Sequence, residues 1–415
     1  MRRRRVAITG MGCVTALAES VQNLFSALCE ARSGISLIES FDTADYPVRF
    51  GGEIRNFDVT KYVDQRDAKR MDRFTQFAVA AAAQAVEDSG LDFSKEDPFR
   101  VGVIVGTGIG GIKEIEEQHI RLLEKSPRKV SPFCVPRLMS NAASGNIAIR
   151  YGLSGPNMSI STACASGSHA IGEAFCNIMA GRSDIIITGG TEAALTPIGL
   201  ASFCAAKSLS TRNDDPTGAS RPFDKDRDGF VLSEGAGILI LEELQHAKKR
   251  NAHIYAELLG YGATDDGYHI TAPLPDGAGA AKAMAVALDE AGVDKESVGY
   301  INAHGTGTVL NDIAESAAIR SVFGEHAYKI PVSSTKGCLG HSLGATGAIE
   351  LIVCCKTITE SVIAPTINLD NPDPRCDLEM DFVPKQARHA KVDVALSNSL
   401  GFGGHNASLV VGKIR

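Results

Sequence analysis

Two stretches of this chain that lie far apart in the sequence resemble each other. Residues 85–92 (AVEDSGLD) parallel residues 287–294 (ALDEAGVD), and each closes an alanine-rich run at a glycine. A glycine after a helix-favouring run is typical of a helix C-terminus. Each stretch is followed by a short apolar strand pattern and a glycine turn, at 101–108 and at 298–305. The same helix–glycine–strand unit is therefore predicted in both parts of the chain.

A third pair of segments repeats in the same order. Gly-Phe at 229–230 precedes the apolar run 236–241, and Gly-Phe at 401–402 precedes the apolar run 407–411. Chance recurrence is the alternative, but the matching order and similar spacing favour an internal duplication. Apolar runs without alternation, such as 185–188, are typical of strands buried on both faces of a mixed sheet. We therefore predict an α/β protein of two similar layered halves, which suits a length of 415 residues.

Charge and cysteine usage exclude several classes of function. The net charge is -7, whereas sequence-independent nucleic-acid binding needs a basic surface. The ten cysteines form no CxxC pair, which argues against a zinc site and a disulfide framework and favours a reducing compartment.

No apolar run reaches the length of a transmembrane helix, about 18 residues. Residues 2–18 superficially imitate a signal peptide, but the glycines and threonines that follow Arg5 favour a strand entering a glycine turn at 6–12.

The first chemical motif is residues 158–167 (MSISTACASG), in which a short strand runs through small residues and Cys164 into an apolar helix. Ala163, Ala165 and Gly167 allow the backbone to bend sharply beside the cysteine, as in a nucleophile elbow. A cysteine at a helix N-terminus feels the positive end of the helix dipole, which favours the thiolate. The alternative is one more buried thiol, which is how we interpret the other nine cysteines.

Three glycine-rich turns carry the remaining chemistry. The turn AHGTGT holds His304 at the end of a predicted strand, where ligands gather in layered α/β folds. The turn STKGCLGHSLGATG holds Lys336 and His341, and its spacing is not that of a phosphate-binding P-loop. Residues 397–406 (SNSLGFGGHN) expose backbone N–H groups that suit an oxyanion hole. Each turn alone has a structural alternative, but together with Cys164 they supply a sulfur nucleophile and neutral imidazole donors for thioester chemistry.

Taken in order, the four motifs resemble the active-site motifs of the beta-ketoacyl-[acyl-carrier-protein] synthases, the thiolase-like condensing enzymes. The resemblance extends from residues 6–12 to residues 401–406, which is nearly the whole chain. It implies a duplicated thiolase-like α/β fold layered α-β-α-β-α, with two mixed five-stranded sheets. The N-terminal half, 1–255, is then expected to carry the nucleophile, and the C-terminal half, 256–415, the two histidines and the lysine.

The resemblance also implies a two-step acyltransferase reaction, the condensing step of type II fatty acid elongation. An acyl chain moves from acyl carrier protein to Cys164, and malonyl carrier protein then loses carbon dioxide and attacks the new thioester. By similarity, His304 and His341 stabilise the enolate, while Lys336 is paired with Glu350. The backbone N–H groups of Cys164 and Phe402 are expected to form the oxyanion hole, and Phe402 also matches the gate residue of the family.

Further residues match substrate contacts of the family. Ile109 stands where a side chain reshapes the acyl pocket in the synthase II branch, and Phe203 resembles another pocket residue. Three threonines match contacts to the pantetheine arm, namely Thr271, Thr306 and Thr308. The resemblance further implies a homodimer with no dissociable cofactor. Charge, cysteine spacing and hydropathy separately predict a cytoplasmic protein with no metal site and no nucleic-acid or membrane partner. The phosphopantetheine group arrives on the carrier protein.

An acidic carrier protein implies a basic docking surface that attracts it electrostatically. The candidate docking residues are Lys69, Arg128, Lys129 and Lys207, together with Arg66, Arg70 and Arg73. A solvated face is the alternative, because Asp67 and Asp72 interleave with the first cluster.

Three other functions share parts of this pattern. A type II polyketide ketosynthase uses the same chemistry on another product, and the sequence separates the two poorly. A coenzyme A thiolase would need a second cysteine near the C-terminus, which residues 401–406 lack. A non-catalytic partner subunit would lack the nucleophile, whereas Cys164, His304, Lys336 and His341 are all present.

Overall fold

The computed structural model describes residues 4–414, so Arg2 and Arg3 of the basic run lie outside the described residues. The strands are β1 (Val6–Thr15), β2 (Ser36–Leu37), β3 (Phe50–Gly51), β4 (Val101–Gly106), β5 (Asn157–Ile160), β6 (Ile185–Glu192), β7 (Gly235–Glu243), β8 (Ala256–Asp265), β9 (Tyr300–Asn302), β10 (Val332–Ser333), β11 (Val362–Ile363), β12 (Arg388–His389), β13 (Val394–Gly401) and β14 (His405–Gly412).

The α-helices alternate with these strands. They are α1 (Val21–Cys29), α2 (Gln65–Ala68), α3 (Arg73–Ser89), α4 (Ile112–Glu124), α5 (Cys134–Leu138), α6 (Ala142–Tyr151), α7 (Ser166–Met179), α8 (Pro197–Ala205), α9 (Leu244–Lys249), α10 (Ala278–Ala291), α11 (Val309–Phe323), α12 (Lys336–Leu339) and α13 (Thr346–Glu360). Among residues 4–414, no helix combines the length and the apolar character that crossing a bilayer requires.

The main sheet is mixed and has ten strands, in the order β10-β9-β13-β14-β8-β1-β7-β6-β4-β5. One half consists of β1, β7, β6, β4 and β5, and the other of β8, β14, β13, β9 and β10. In each half, counted from the middle of the sheet, two antiparallel pairings are followed by two parallel ones. Strand order and direction therefore repeat, which confirms the predicted duplication and its five-stranded mixed units.

The two halves meet where β1 and β8 begin. Residues 6–8 pair with residues 256–258 in a short antiparallel ladder. A strand at the edge of a sheet presents unpaired N–H and C=O groups, and here the edge strands of the two units satisfy each other. The two predicted sheets are thus present as halves of one continuous sheet, a junction that the sequence pattern did not predict.

Helices cover both faces of each half. Helices α7 and α13 pack against each other in the central layer, against strands of both halves. On the far faces, α3 and α6 cover the first half, and α10 covers the second with α11 packed on it. Alternate residues of β7 enter different cores, because Leu239 and Leu241 face the α7–α13 core while Ile238 and Ile240 face α3. The predicted α-β-α-β-α layering is therefore confirmed.

The duplication also sets how closely helix and strand approach. Helices α3 and α10 end at Gly90 and Gly292, whose φ values of 64° and 57° are left-handed, as the glycine pattern predicts. A Cβ on Gly12 in β1 would lie 2.1 Å from a carbonyl oxygen of α3, and one on Gly262 in β8 would lie 2.0 Å from a carbonyl oxygen of α10. The glycine turn predicted at 6–12 is therefore wrong: the strand continues, and glycine serves close packing there.

Candidate active site

A cavity of about 410 Å³ is lined by residues of both halves of the chain. Its wall includes Cys164, His304 and His341, so the predicted nucleophile and both predicted histidines share one cavity. The apolar side chains around them belong to Ile109, Phe203, Phe230, Leu343, Leu400 and Phe402. A cavity of this size, largely apolar with a few convergent polar groups, suits an apolar ligand that is held at one reactive end.

A sharp turn presents Cys164 to the cavity. Strand β5 ends at Ile160 and α7 begins at Ser166, and between them Ala163 adopts a left-handed backbone with φ of 49°. This conformation is uncommon for a residue with a Cβ, and strained turns of this kind cluster at active sites. The Ser166 hydroxyl donates to the Ala163 carbonyl at 2.6 Å and accepts from the Thr162 N–H at 2.8 Å. The predicted nucleophile elbow is therefore present.

The three reactive side chains lie close together. The Cys164 sulfur and one ring nitrogen of each of His304 and His341 all lie within 4.8 Å of one another. The two imidazole centroids are 5.3 Å apart, and the rings are nearly perpendicular at 83°. Each of the three residues is at most 7 % exposed. Positions that are remote in the sequence are thus gathered around one thioester-sized space.

Each histidine has one buried ring nitrogen without a partner among the described residues. Within residues 4–414, Nδ1 of His304 and Nε2 of His341 have no hydrogen-bond partner. The other ring nitrogen of His341, Nδ1, lies 3.0 Å from the Thr346 hydroxyl, which in turn lies 3.1 Å from the Ser342 hydroxyl. When Ser342 donates to Thr346 and Thr346 donates to Nδ1, the imidazole proton is held on Nε2, where it can be donated to a ligand.

Lys336 acts on His304 from outside the cavity wall. Its Nζ donates to the His304 carbonyl oxygen and to Glu350 Oε1, the latter at 2.5 Å. Glu315 accepts the backbone N–H groups of His304 and Gly305, each at 2.8 Å. The predicted pairing of Lys336 with Glu350 is therefore confirmed, and the His304 backbone is held from two sides.

Burial fixes the charge state of both imidazoles. It lowers the pKa of His304 and of His341 well below the usual histidine value, and the positive charge of Lys336 lowers both further. Both rings are therefore neutral near neutral pH, and each can donate an N–H or accept a proton.

The charge state of Cys164 differs from the prediction. Burial raises the pKa of its thiol to about 12, against the opposing effects of Lys336 and of the Phe402 backbone N–H. That rise corresponds to roughly 4 kcal/mol, whereas a helix N-terminus contributes at most ~2 kcal/mol. The predicted thiolate is therefore wrong for the resting site: the sulfur is protonated and needs a base when it reacts.

Backbone donors surround the same sulfur. The N–H groups of Phe402 and of Cys164 itself both point at it and stabilise its negative form. A Cβ on Gly401 would lie 2.7 Å from the Thr162 carbonyl oxygen, so only glycine lets this turn approach the elbow. Once the sulfur is acylated, the carbonyl oxygen of the thioester can accept from these two N–H groups, which is the geometry that an oxyanion hole requires.

The remaining predicted residues divide between the cavity and the surface. Those that line the cavity are Ile109, Phe203, Lys207, Thr271, Thr306 and Thr308. Those that are exposed outside it are Lys69, Arg128 and Lys129. Arg73 is wrong as a docking residue, because its guanidinium is paired with buried Glu234 at 2.7 Å.

The structure adds two residues that the motifs did not identify. Phe230 packs edge-to-face on His341, with ring centroids 5.2 Å apart, and on Phe203 at 5.6 Å. The duplication could have identified Phe230, because the Gly-Phe pair at 229–230 is the counterpart of the pair at 401–402. Glu315 gave no signal, since only the fold brings it to the backbone of the His304 turn.

Cys164, His304 and His341 are also donors of the kind that soft metal ions prefer. The positive charge of Lys336, which acts on both imidazoles, opposes a cation at this position. The same charge favours a ligand on which negative charge develops. The three side chains therefore suit an anionic thioester oxygen better than a metal.

The layered duplicated fold and the cysteine–histidine–histidine cavity define a thiolase-like condensing enzyme. The family model described as Beta-ketoacyl synthase, N-terminal domain matches residues 3–247, and the one described as Beta-ketoacyl synthase, C-terminal domain matches residues 255–370. The chain belongs to the beta-ketoacyl synthase family.

Relatives resemble the chain over its whole length. It is 52 % identical over 413 residues to the 3-oxoacyl-[acyl-carrier-protein] synthase 2 of Synechocystis sp., covering 100 % of this chain and 99 % of that protein. It is 49 % identical over 415 residues to the protein of the same name from Vibrio harveyi, covering all of both. A solved ketosynthase of a type II polyketide synthase, bound to the hexaketide and in complex with its acyl-carrier protein, has a TM-score of 0.92 at 36 % identity, with full coverage of both chains.

Proposed function

We propose that this chain condenses malonyl carrier protein, with loss of carbon dioxide, with an acyl chain held as a thioester on Cys164, in type II fatty acid elongation. The observation that carries this proposal is the gathering of the Cys164 sulfur and two neutral imidazoles within 4.8 Å, in the wall of an apolar cavity. Relatives that are about half identical along the whole chain are 3-oxoacyl-[acyl-carrier-protein] synthases.

In the first step the acyl chain moves onto the enzyme. Because the resting thiol is protonated, a neutral imidazole accepts its proton as the sulfur attacks the carbonyl carbon of the acyl thioester. The N–H groups of Cys164 and Phe402 stabilise the resulting oxyanion. The carrier thiolate leaves and takes the proton, which returns the histidine to its neutral form. The acyl chain then lies along the apolar wall of the cavity.

In the second step malonyl carrier protein enters. Its thioester oxygen accepts N–H hydrogen bonds from His304 and His341 while the bond to the carboxylate carbon breaks and carbon dioxide leaves. The electron pair of that bond forms an enolate, whose carbon attacks the acyl carbonyl on Cys164. The oxyanion collapses and the cysteine sulfur leaves as a thiolate. The thiolate takes up one proton from solvent, and 3-oxoacyl carrier protein is released.

The neutral histidines predict how the first step depends on pH. Acyl transfer to Cys164, followed from about pH 8 to about pH 5, should show no loss centred near 6.5, the ordinary histidine pKa. The reason is that the imidazole that accepts the proton stays neutral until the pH falls through its own pKa, which lies well below that value. Intact-mass measurement of the acylated protein gives the rate, and circular dichroism shows that the fold persists. A loss of acyl transfer centred near pH 6.5 in folded protein would contradict the conclusion that His304 and His341 are both neutral at that pH.

Ile109 is expected to influence acyl-chain length. It lines the cavity and is 42 % exposed, so its side chain bounds space that an acyl chain can fill. Ile109→Gly should change the ratio of kcat/KM between long and short acyl carrier proteins by about tenfold, the usual scale for adding or removing apolar contacts in a pocket. Ile198→Ala, an exposed isoleucine outside the cavity, should leave the ratio unchanged. Identical ratios in Ile109→Gly and the unaltered protein would show that Ile109 does not influence the preference for acyl-chain length.

We further propose that acyl carrier protein delivers both substrates on its phosphopantetheine arm, so that no dissociable cofactor or metal is needed. The polyketide ketosynthase that this chain resembles is in complex with its own acyl-carrier protein. Lys207 lines the cavity, and Lys69, Arg128 and Lys129 are exposed, so their positive charges are accessible to an acidic carrier protein although the net charge of this protein is -7.

We also propose a homodimer in the cytoplasm. Strand β5 ends the main sheet, and Met158 on it is 38 % exposed, while Ile149 on the adjoining α6 is 82 % exposed. Exposed apolar side chains beside an open strand edge favour an interface with a second copy. The ten cysteines are all free, which suits a reducing compartment.

Purified protein supplied with malonyl carrier protein and a series of saturated acyl carrier proteins tests the function. Mass spectrometry should detect 3-oxoacyl carrier protein and carbon dioxide in equal amounts. A polyketide role is less well supported, since the polyketide relative is 36 % identical and the Synechocystis synthase 52 %. Absence of product with every saturated acyl chain would contradict the fatty acid assignment.

A further inference from the structure

Glu192 is a buried carboxylate that the two steps above do not use. It is the last residue of β6 and is 0 % exposed. Carboxylates are rarely buried at such a depth unless their oxygens are fully satisfied, because removing the charge from water is costly. Its partners therefore indicate what it does.

Four donors surround the Glu192 carboxylate. They are the Thr107 hydroxyl at 3.0 Å and the backbone N–H groups of Gly108 at 2.7 Å, Ile109 at 3.3 Å and Gly344 at 3.1 Å. Burial raises the pKa of the Glu192 carboxyl, and the four donors oppose that rise. An ionised carboxylate is an acceptor only, with room for about four hydrogen bonds, so the donors favour the ionised form. Three donors belong to the turn after β4, in the N-terminal half of the chain, and the fourth belongs to the turn that follows His341, in the C-terminal half.

The two turns touch directly at this carboxylate. A Cβ on Gly344 would lie 2.4 Å from the Gly108 nitrogen and 2.8 Å from Glu192 Oε2, and a Cβ on Gly108 would lie 2.8 Å from the same oxygen. On its other side, the Gly344 carbonyl oxygen would lie 2.2 Å from a Cβ on Gly190. No side chain fits between the turns, so they pack directly against each other, and Glu192 accepts hydrogen bonds from both.

Each turn carries a different part of the substrate site. The turn at 107–110 carries Ile109, in the wall where the acyl chain lies, and the turn at 341–345 carries His341 and Leu343. Resting on the proposed function, we infer that Glu192 is a positioning residue that couples the two turns, so that an acyl chain seated against Ile109 sets the His341 imidazole for the malonyl thioester. Decarboxylation is then favoured only after the acyl chain is in place.

The carboxylate also acts on the nucleophile. Its negative charge is one of the causes that raise the pKa of the Cys164 thiol. Burial is the main cause of the raised pKa, and the charge of Glu192 adds to it. This contribution is measurable without any carrier protein.

Glu192→Gln tests the coupling because it keeps the size of the side chain and removes its charge. The glutamine amide nitrogen cannot accept a hydrogen bond, so at least one turn loses its partner. We expect kcat for the best acyl chain to fall about tenfold or more, the scale of a small misplacement of a catalytic group. We also expect kcat to become nearly independent of acyl length, with KM for malonyl carrier protein little changed. The pH midpoint for alkylation of Cys164 by iodoacetamide should move to lower pH.

Glu242→Gln is the matched control. Glu242 is also a buried carboxylate, on β7, but Arg250 and the Thr9 hydroxyl hold it outside the cavity. Glu242→Gln should lower Tm while leaving the chain-length profile and the alkylation midpoint unchanged. An unchanged profile and midpoint in Glu192→Gln, or equal changes in both variants, would overturn the inference.

A second variant covers the case in which Glu192→Gln does not fold. Thr107→Val removes one donor and leaves the Glu192 charge in place, so it should flatten the chain-length profile without moving the alkylation midpoint. A profile as steep as that of the unaltered protein would contradict the coupling. Condensation by the unaltered protein tests the proposed function, and the change of chain-length profile in the variants tests the coupling, so the two can fail separately. Alkylation, which needs no substrate, tests only the effect of the Glu192 charge on Cys164.

Discussion

Cys164→Ala should lower the condensation rate at least ~10³-fold, the scale expected when a covalent nucleophile is removed. Release of carbon dioxide from malonyl carrier protein should persist at a reduced rate. His304 and His341, which hold the enolate, do not need the sulfur to donate their N–H groups, but no bound acyl chain sets the His341 imidazole in this variant. Mass spectrometry of 3-oxoacyl carrier protein and a carbon dioxide assay on the same samples measure the two activities separately.

Cys29→Ala is the control for loss of a thiol as such. Cys29 is a half-buried cysteine at the end of α1 and does not line the cavity. It should keep both activities. Condensation that survives in Cys164→Ala, or that is lost equally in Cys29→Ala, would contradict the assignment of Cys164 as the nucleophile.

Lys336→Met should lower the free energy of unfolding by about 3–5 kcal/mol, the usual cost of breaking a buried ion pair. Lys336 and Glu350 are each 1 % exposed, so the carboxylate left behind has neither its partner nor water. Condensation should fall at least ~100-fold, because the His304 carbonyl loses its donor and the histidines lose a positive charge that adds to the effect of burial on their pKa values. Urea unfolding and steady-state kinetics measure the two effects.

Two comparisons separate stability from chemistry in that experiment. Lys336→Met/Glu350→Leu removes both charges and should regain much of the lost stability but none of the activity. Lys391→Met breaks an exposed pair with Asp393 and should cost less than about 1 kcal/mol. Recovery of condensation in the double variant would show that Lys336 serves the fold alone.

The sequence was sufficient for features that repeat or that sit in local motifs. The glycines at the ends of α3 and α10, the matching strand directions of the two halves, and the elbow at Cys164 follow from local pattern together with the duplication. The pairing of Lys336 with Glu350 came from family resemblance, and the structure bears it out with a 2.5 Å contact.

Features that depend on burial or on contacts between distant segments could not be predicted. The positive end of the α7 dipole favours a thiolate at Cys164, but desolvation in the folded site outweighs it and depends on contacts that the sequence does not show. Gly12 suggested a turn because a sequence does not show that α3 lies against β1. Glu192 carried no local signal, since its four donors come from two turns that only the tertiary fold brings together.

The most direct test of the account is the location of the acyl group after the protein meets acyl carrier protein without malonyl carrier protein. Intact-mass measurement should show one acyl adduct per chain, and peptide mapping should place it on Cys164. The adduct should disappear when malonyl carrier protein is added and should be absent from Cys164→Ala. An adduct on another cysteine, or one that persists in that variant, would contradict the claim that the fold gathers this sulfur and the two imidazoles into a condensing site.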